Sequence, residues 1–153
     1  MTNNLRSSSF KLALSNARGF SLIEILIALT LLAVAGTFVV GKIFDQLEEG
    51  RVSACKIQIN SFKDRLSEFR RHCNGYPTTE QGLEALVQKP TGGKECPRYS
   101  PGGYIEGGVI PKDPWDQDYV YESDGKTFTI KSYGSDKQEG GEGFDADISS
   151  ATL

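Results

Sequence analysis

The sequence is poor in the residues that most catalytic and zinc sites use. It has one histidine, His72, and three cysteines, none of which forms a Cys-x-x-Cys pair. The only histidine for a zinc site or for a catalytic nucleophile–base pair would therefore be His72. His72 lies at a predicted helix end, where an exposed surface histidine is expected. Neither standard glycine-rich phosphate-binding spacing occurs. The sequence predicts that the protein is not an enzyme.

Positive charge is scarce in the carboxyl-terminal third. From residue 104 onward, four lysines stand against eleven aspartates and glutamates, a net charge of −7. Such a surface repels phosphate backbones, so we expect no binding to nucleic acid. It can attract cations.

Charge is almost absent from one stretch near the amino terminus. Between Phe20 and Gly41, the only ionisable side chain is Glu24. A run of about twenty apolar residues is long enough to cross a bilayer as a helix. The sequence therefore predicts a transmembrane helix at residues 20–41.

A basic leader precedes this apolar run. Residues 1–19 contain three basic side chains and no acidic one, and the apolar run is not followed by the small-residue cleavage site of an ordinary secretory signal. By the positive-inside rule, the leader stays in the cytoplasm and residues 42–153 lie on the other side of the membrane. A chain of 153 residues suits one small domain, so residues 42–153 should form a single polar head.

Hydrophobic residues continue at helical spacings of three and four after the apolar run. They are Phe44, Leu47, Cys55, Ile59, Phe62, Leu66, Phe69 and Cys73. One helix can therefore run from Phe20 to near Arg71 and stop at Asn74-Gly75, where Gly75 can take a left-handed conformation. We expect the face beyond Cys55 to pack on the core of the head, whereas Phe44 and Leu47 could face neighbouring stems.

Shorter patterns follow the helix. Residues 78–87 predict a short capped helix, and the Gly- and Pro-rich residues 89–108 predict an irregular loop. Residues 119–121 and 127–130 alternate around Ser123-Asp124-Gly125-Lys126, which predicts a β-hairpin. The fold class is therefore α+β.

Three cysteines permit one disulfide in an oxidising compartment. Cys55 and Cys73 would lie about 27 Å apart on one straight helix, which is too far for a bond. Cys96 lies in the Gly- and Pro-rich loop and can approach the helix end. We therefore pair Cys73 with Cys96 and interpret Cys55 as a buried thiol.

An acidic, glycine-rich segment lies near the carboxyl terminus. Residues 136–147 contain five carboxylates among three glycines. Carboxylate and carbonyl oxygens suit Ca²⁺, which takes six to eight oxygen ligands. The spacing is not that of an EF-hand, so composition leaves both a calcium site and a solvated acidic loop open.

Glu24 is unusual because a carboxylate in a membrane costs several kcal/mol unless it is paired, protonated or close to the surface. Cutting between Gly19 and Phe20 would create an amine four residues from Glu24, so two stems could pair amine to carboxylate. The sequence RGFSLIE at residues 18–24, followed by ILIALTLLAVAG, resembles the leader and stem of type IV pilin-like proteins. The resemblance implies that a membrane peptidase cuts after Gly19 and methylates Phe20, and that Glu24 guides subunit stacking.

Five short sequence motifs in the head narrow the resemblance to one group of pilin-like proteins. They are YPTTEQGLEAL at 76–86, PGGY at 101–104, PKDPW at 111–115, SYGSD at 132–136 and GGEGFDADI at 140–148. These blocks resemble the major pseudopilins of the type II secretion system. The family's fold is pilin-like: a long N-terminal helix, transmembrane in its first half, packs on a small antiparallel β-sheet with a calcium-binding loop. The resemblance implies Ca²⁺ ligands from the carboxylates of Asp136, Asp145 and Asp147, with backbone oxygens of Tyr133 and Gln138.

The same resemblance implies a mechanical function. Processed monomers would wait in the bacterial inner membrane with their heads in the periplasm, and would then form a homopolymeric fibre that drives folded proteins across the outer membrane. The expected partners are minor pseudopilins, an inner-membrane assembly platform and the prepilin peptidase, which is also the methylase. Two alternatives stay open: a major subunit of a surface type IV pilus, and a monomeric membrane-anchored calcium-binding protein.

Overall fold

The computed structural model describes residues 19–93 and 95–153. Residues 1–18, which hold nearly all of the predicted leader, lie outside the described residues. The chain divides into two compact units, Met1–Gly41 and Lys42–Leu153. We call the described part of the first unit the stem and the second unit the head.

The longest element is helix α1, Leu22–Cys73, of 52 residues. Its bounds agree within two residues with the helix predicted from hydrophobic spacing. The carbonyl of Ser21 starts the helix by accepting the backbone N–H groups of Glu24 at 3.0 Å and Ile25 at 3.1 Å. The bond from Ile25 is the first i to i−4 bond of the helix, and the bond from Glu24 satisfies one of the amides that a helix start leaves unpaired.

The end of α1 differs from the prediction at one residue. Asn74, not Gly75, takes the left-handed conformation, with φ of 56°. Asparagine tolerates this conformation better than most residues, so it can terminate the helix itself. Position 75 favours glycine for another reason, because a Cβ atom there would lie 3.1 Å from the carbonyl oxygen of Gly125.

The sheet has three antiparallel strands in the order β1-β2-β3. Strand β1 is Val120–Ser123, β2 is Phe128–Ser132 and β3 is Ile148–Ser149. The β1–β2 hairpin confirms the prediction, with Val120 opposite Lys131 and Ser123 opposite Phe128. The sequence did not predict β3, because two residues are too few to show alternation.

The core of the head forms along one face of α1. Cys55, Ile59, Phe62, Leu66, Phe69 and Cys73 are all buried. They pack with aromatic and aliphatic side chains of the loops and strands, including Leu86, Tyr104, Trp115 and Ile130. This confirms the predicted core face, and Phe44 and Leu47 remain 63% and 55% exposed.

Residues 78–87 form less helix than predicted. Only Leu83–Leu86 is helical, as one 3₁₀ turn. Gly82 precedes it with φ of 62°, a left-handed conformation that interrupts an α-helix. One capping contact is present at the start of this segment, because Gln81 Oε1 accepts the backbone N–H of Thr78 at 3.0 Å.

The cysteines are arranged as the sequence predicts. A disulfide joins Cys73 to Cys96, 23 positions later. Cys55 is buried and free, and the Tyr119 hydroxyl donates to its sulfur at 3.8 Å. Burial raises the pKa of the Cys55 thiol, so the sulfur stays protonated and unreactive.

A buried carboxylate, Asp113, holds the loop that precedes β1. Its Oδ1 accepts the backbone N–H groups of Trp115 at 3.0 Å and Gln117 at 2.8 Å. Its Oδ2 accepts the hydroxyl of Ser132, on β2, at 2.6 Å. Trp115 in turn donates from Nε1 to Glu48 Oε2 on α1 at 3.0 Å. Asp113 therefore fixes the turn that ties this loop to α1 and to the sheet.

We expect Asp113→Ala to lower the free energy of unfolding of the head by about 2–4 kcal/mol, because three donors lose their acceptor inside the protein. Denaturant unfolding of residues 42–153 measures this. Asp118→Ala is the matched control, since Asp118 is exposed and its loss should stay within about 0.5 kcal/mol. Equal losses for the two variants would contradict the role of Asp113.

Candidate functional site

The stem presents apolar side chains to its surroundings. From Leu22 to Val34, its large apolar side chains are 45 to 83% exposed. In the described part of the chain, one helix is long and apolar enough to span a membrane, with a mean hydropathy of 2.5 over 18 residues and none of that window buried. The stem can therefore serve as a membrane anchor or as a surface on which other stems pack.

The predicted processing and assembly residues lie at the start of the stem. Gly19 and Phe20 are exposed and precede α1. Glu24 lies in its first turn, where the helix dipole favours a negative charge. Across residues 19–93 and 95–153, no group donates a hydrogen bond to the Glu24 carboxylate. By contrast, Thr30 donates its hydroxyl to the Ile27 carbonyl at 2.8 Å.

The five predicted calcium ligands all belong to the loop between β2 and β3. Asp136 and Asp145 are exposed, as is Gln138, whereas Tyr133 and Asp147 are half-buried. Each aspartate already accepts one hydrogen bond from the loop through Oδ1, as follows: Asp136 from the Gln138 N–H at 3.1 Å, Asp145 from the Ser135 hydroxyl, and Asp147 from the Gly140 N–H at 3.1 Å. Their second oxygens, Oδ2, accept none from the described residues.

Two glycines let this loop close on itself. Gly134 and Gly141 both have positive φ. A Cβ on Gly141 would lie 2.2 Å from the carbonyl oxygen of Asp145, and one on Gly134 would lie 3.1 Å from that of Ala146. Side chains at these two positions would therefore push the two halves of the loop apart.

The loop fits calcium in donor chemistry but does not gather its carboxylates. It offers three aspartate Oδ2 atoms and several backbone carbonyl oxygens, which are the ligands that Ca²⁺ prefers. Within the described ranges, however, no three Asp, Glu, His or Cys side chains lie close enough together to hold a metal ion. The predicted ligands share one loop, and their convergence on a Ca²⁺ ion stays a prediction.

One contact of this loop was not predicted. Glu139 pairs with Lys131 Nζ of β2 at 3.3 Å, and this contact raises the pKa of Lys131. The pair is exposed, so it stabilises the loop only weakly. Two opposite charges eight positions apart give no sequence signal for such a pair.

His72 differs from its prediction as an exposed residue. It is half-buried, and its Nδ1 lies 3.1 Å from the Tyr104 hydroxyl. Tyr104 is buried against Phe69 with the rings edge to face, so the loop that carries it covers the histidine. His72 therefore helps to pack the loop that carries Tyr104 against the end of α1.

Comparisons with known proteins agree with these features. Residues 42–151 match the family model described as type II secretion system (T2SS), protein G, and residues 14–40 match the prokaryotic N-terminal methylation motif. The chain is 41% identical to the type II secretion system core protein G of Vibrio cholerae over 132 residues, covering 85% of this chain and 88% of the relative. The corresponding protein of Pseudomonas aeruginosa is 36% identical, with 85% and 92% covered.

A solved structure is also similar. It is the crystal structure of the major pseudopilin from the type 2 secretion system of enterohaemorrhagic Escherichia coli, 34% identical, with a TM-score of 0.60 over 71% of this chain and 92% of that chain. The family model alone covers well over half of the sequence. The chain therefore belongs to the protein G family of the type II secretion system, the major pseudopilins.

Proposed function

We propose that this chain is the major structural subunit of a type II secretion pseudopilus. The prepilin peptidase removes the leader after Gly19 and methylates Phe20. The stem then holds the monomer in the bacterial inner membrane with the head in the periplasm. Polymerisation of these monomers into a short periplasmic fibre drives export of folded proteins across the outer membrane.

The observation that carries this proposal is the exposed apolar stem with Glu24 in its first turn. Apolar side chains exposed this widely need lipid around a monomer or neighbouring stems in a fibre. A carboxylate in either environment needs a positive partner. The new amine of Phe20 on a neighbouring stem supplies that charge, so the pair stabilises the fibre and fixes its register.

The partners follow from this assembly. The chain forms a homopolymer, minor pseudopilins begin or end the fibre, and an inner-membrane platform adds subunits to it. The match of residues 42–151 to protein G favours the secretion fibre over a surface type IV pilus, because the stem is common to both classes and the head differs.

We also infer that the loop from Tyr133 to Asp147 binds a structural Ca²⁺ ion. Asp136, Asp145 and Asp147 would supply carboxylate oxygens, with backbone oxygens of Tyr133 and Gln138. The loop carries several like charges that repel one another when no cation neutralises them. Calcium would therefore stabilise the folded loop through the coupling of metal binding to folding.

We expect Glu24→Ala to leave the monomer stable and cleaved after Gly19, but to lower fibre yield at least about tenfold, because the Phe20 amine would lose its partner inside an apolar stem bundle. Sheared-fibre yield and the mass of the mature chain, both measured in cells, test this. Thr30→Ala is the matched stem control, since the Thr30 hydroxyl is satisfied by its own helix. Normal fibre yield from Glu24→Ala would overturn the assembly role.

We expect excess chelator to lower the thermal midpoint of the calcium-loaded head by about 10 °C, because a ligand that binds only the folded state stabilises it by mass action. Differential scanning calorimetry with and without calcium measures the change. Asp147→Asn should abolish the calcium response, whereas Glu142→Gln should keep it, since Glu142 is not among the proposed ligands. An unchanged midpoint in chelator would exclude a structural calcium ion.

A further inference from the structure

A groove runs between α1 and the acidic loop. Its volume is about 520 Å³, and it is lined by Glu49, Val52, Ser53, Lys56, Gly143 and Phe144. Val52 and Phe144 form its apolar centre, and Phe144 is exposed. Glu49 and Lys56 place opposite charges at its two ends. Along α1, the groove therefore has an acidic side chain at one end, an apolar centre and a basic side chain at the other end.

A loop elsewhere on the head carries the same kinds of side chain. Val109 is 70% exposed and follows Gly107 and Gly108, both with positive φ. Glu106 precedes it by three positions and Lys112 follows it by three, and both are exposed. Lys112 approaches Asp116 at 3.6 Å on the surface, a contact too weak to occupy it. In sequence, this loop therefore also has an acidic, an apolar and a basic side chain in that order.

The groove and the loop lie on opposite flanks of α1. Glu106 shares a cleft with Gln58, Ser61 and Arg65 of the helix. At 100° per residue, these three positions lie about 180° around α1 from the groove positions. One copy therefore cannot fill its own groove with its own loop. Two different patches on opposite flanks make a head-to-tail contact, which generates an open filament or a ring rather than a two-fold dimer.

The order of charges fits copies that point the same way. Lys112 lies between Pro111, which lines the same cleft as Glu106, and the turn in which Trp115 bonds Glu48, so it lies on the stem side of Glu106. Glu106 lies beside the part of α1 from Gln58 to Arg65, which is farther from the stem than Glu48. When two copies are parallel, Lys112 of one copy therefore meets the Glu49 end of the groove on its neighbour, and Glu106 meets the Lys56 end. Antiparallel copies would bring like charges together.

From this we infer that the Val109 loop of one subunit docks in the Val52–Phe144 groove of a second copy of this chain, with Glu106 facing Lys56 and Lys112 facing Glu49. This interface rests on the proposed function, because it supplies the contact between heads of a polymer of parallel subunits. Burial of Val109 against Phe144 gives the attraction, and the two charge pairs at the rim set register and orientation.

Cysteine cross-linking in cells tests the contact. Val52→Cys and Val109→Cys are introduced together into the full chain, and mild oxidation is followed by non-reducing electrophoresis. We expect a ladder of dimers, trimers and larger species. Either substitution alone should give none, because Val109 faces Val52 of the next copy and not another Val109. The native cysteines do not interfere, since Cys55 is buried and the other two are paired.

A matched pair controls for random collision. Ile57 is 67% exposed on the same helix, about 140° around it from Val52. The pair Ile57→Cys with Val109→Cys should therefore give no ladder. A ladder from this pair as strong as that from Val52→Cys with Val109→Cys would contradict the interface, and so would the absence of a ladder from the latter pair.

Charge reversal gives a second test in the same cross-linking background. Lys56→Glu alone and Glu106→Lys alone should each lower ladder yield about threefold, and the two together should restore it. Since the two residues lie on opposite flanks of one copy, restoration must come from a contact between copies. Protein export is measured in parallel. Normal export with no ladder, or with no restoration, would reject this interface and leave the proposed function standing, whereas unimpaired export in cells without the gene would reject the function.

Discussion

One helix with two different apolar surfaces is the constraint on which the rest of the protein depends. In the head, α1 buries a single face, from Cys55 to Cys73, against loops and strands that are too short to form a core among themselves. In the stem, the large apolar side chains from Leu22 to Val34 are exposed. The first surface folds the head, and the second must be covered by lipid or by other copies. The transition from membrane to fibre can therefore occur without unfolding of the head.

The irregular segments of the head are fixed at separate points. The disulfide between Cys73 and Cys96 holds the Gly- and Pro-rich segment to the end of α1. Asp113 holds the turn before β1, and Trp115 connects that turn to Glu48. The loop between β2 and β3 has exposed carboxylates, and it is the loop that we propose a Ca²⁺ ion stabilises. A fibre that pushes cargo needs such stiffness, because a soft head would absorb the displacement.

The parts of the fold that could be predicted from the sequence are those with long or repeated signals. Helical spacing located α1 and its buried face, and alternation around Asp124-Gly125 located the β1–β2 hairpin. The predictions of shorter features were wrong or missing for physical reasons. Gly82 interrupts the predicted helix at 78–87, Asn74 replaces Gly75 as the left-handed residue, and β3 has too few residues to show a pattern.

The site was predictable to a similar degree. Gly19 and Phe20 directly precede α1 and Glu24 lies in its first turn, so their short spacing in sequence also keeps them close together in space. The aspartates of the acidic loop share a segment, but whether they converge depends on backbone turns that composition does not determine. Asp113 was missed as an anchor because its partner Ser132 is distant in sequence, although an aspartate before Pro-Trp is a known turn signal.

The proposed function of this chain is to build the fibre that exports folded proteins. Quantitative mass spectrometry of the culture medium and periplasm, in cells with and without the gene, tests it most directly when surface fibres are counted alongside. We expect exoproteins to accumulate folded in the periplasm of cells without the gene while surface fibres persist. Normal export together with loss of surface fibres would contradict it and would make the protein a pilus subunit instead.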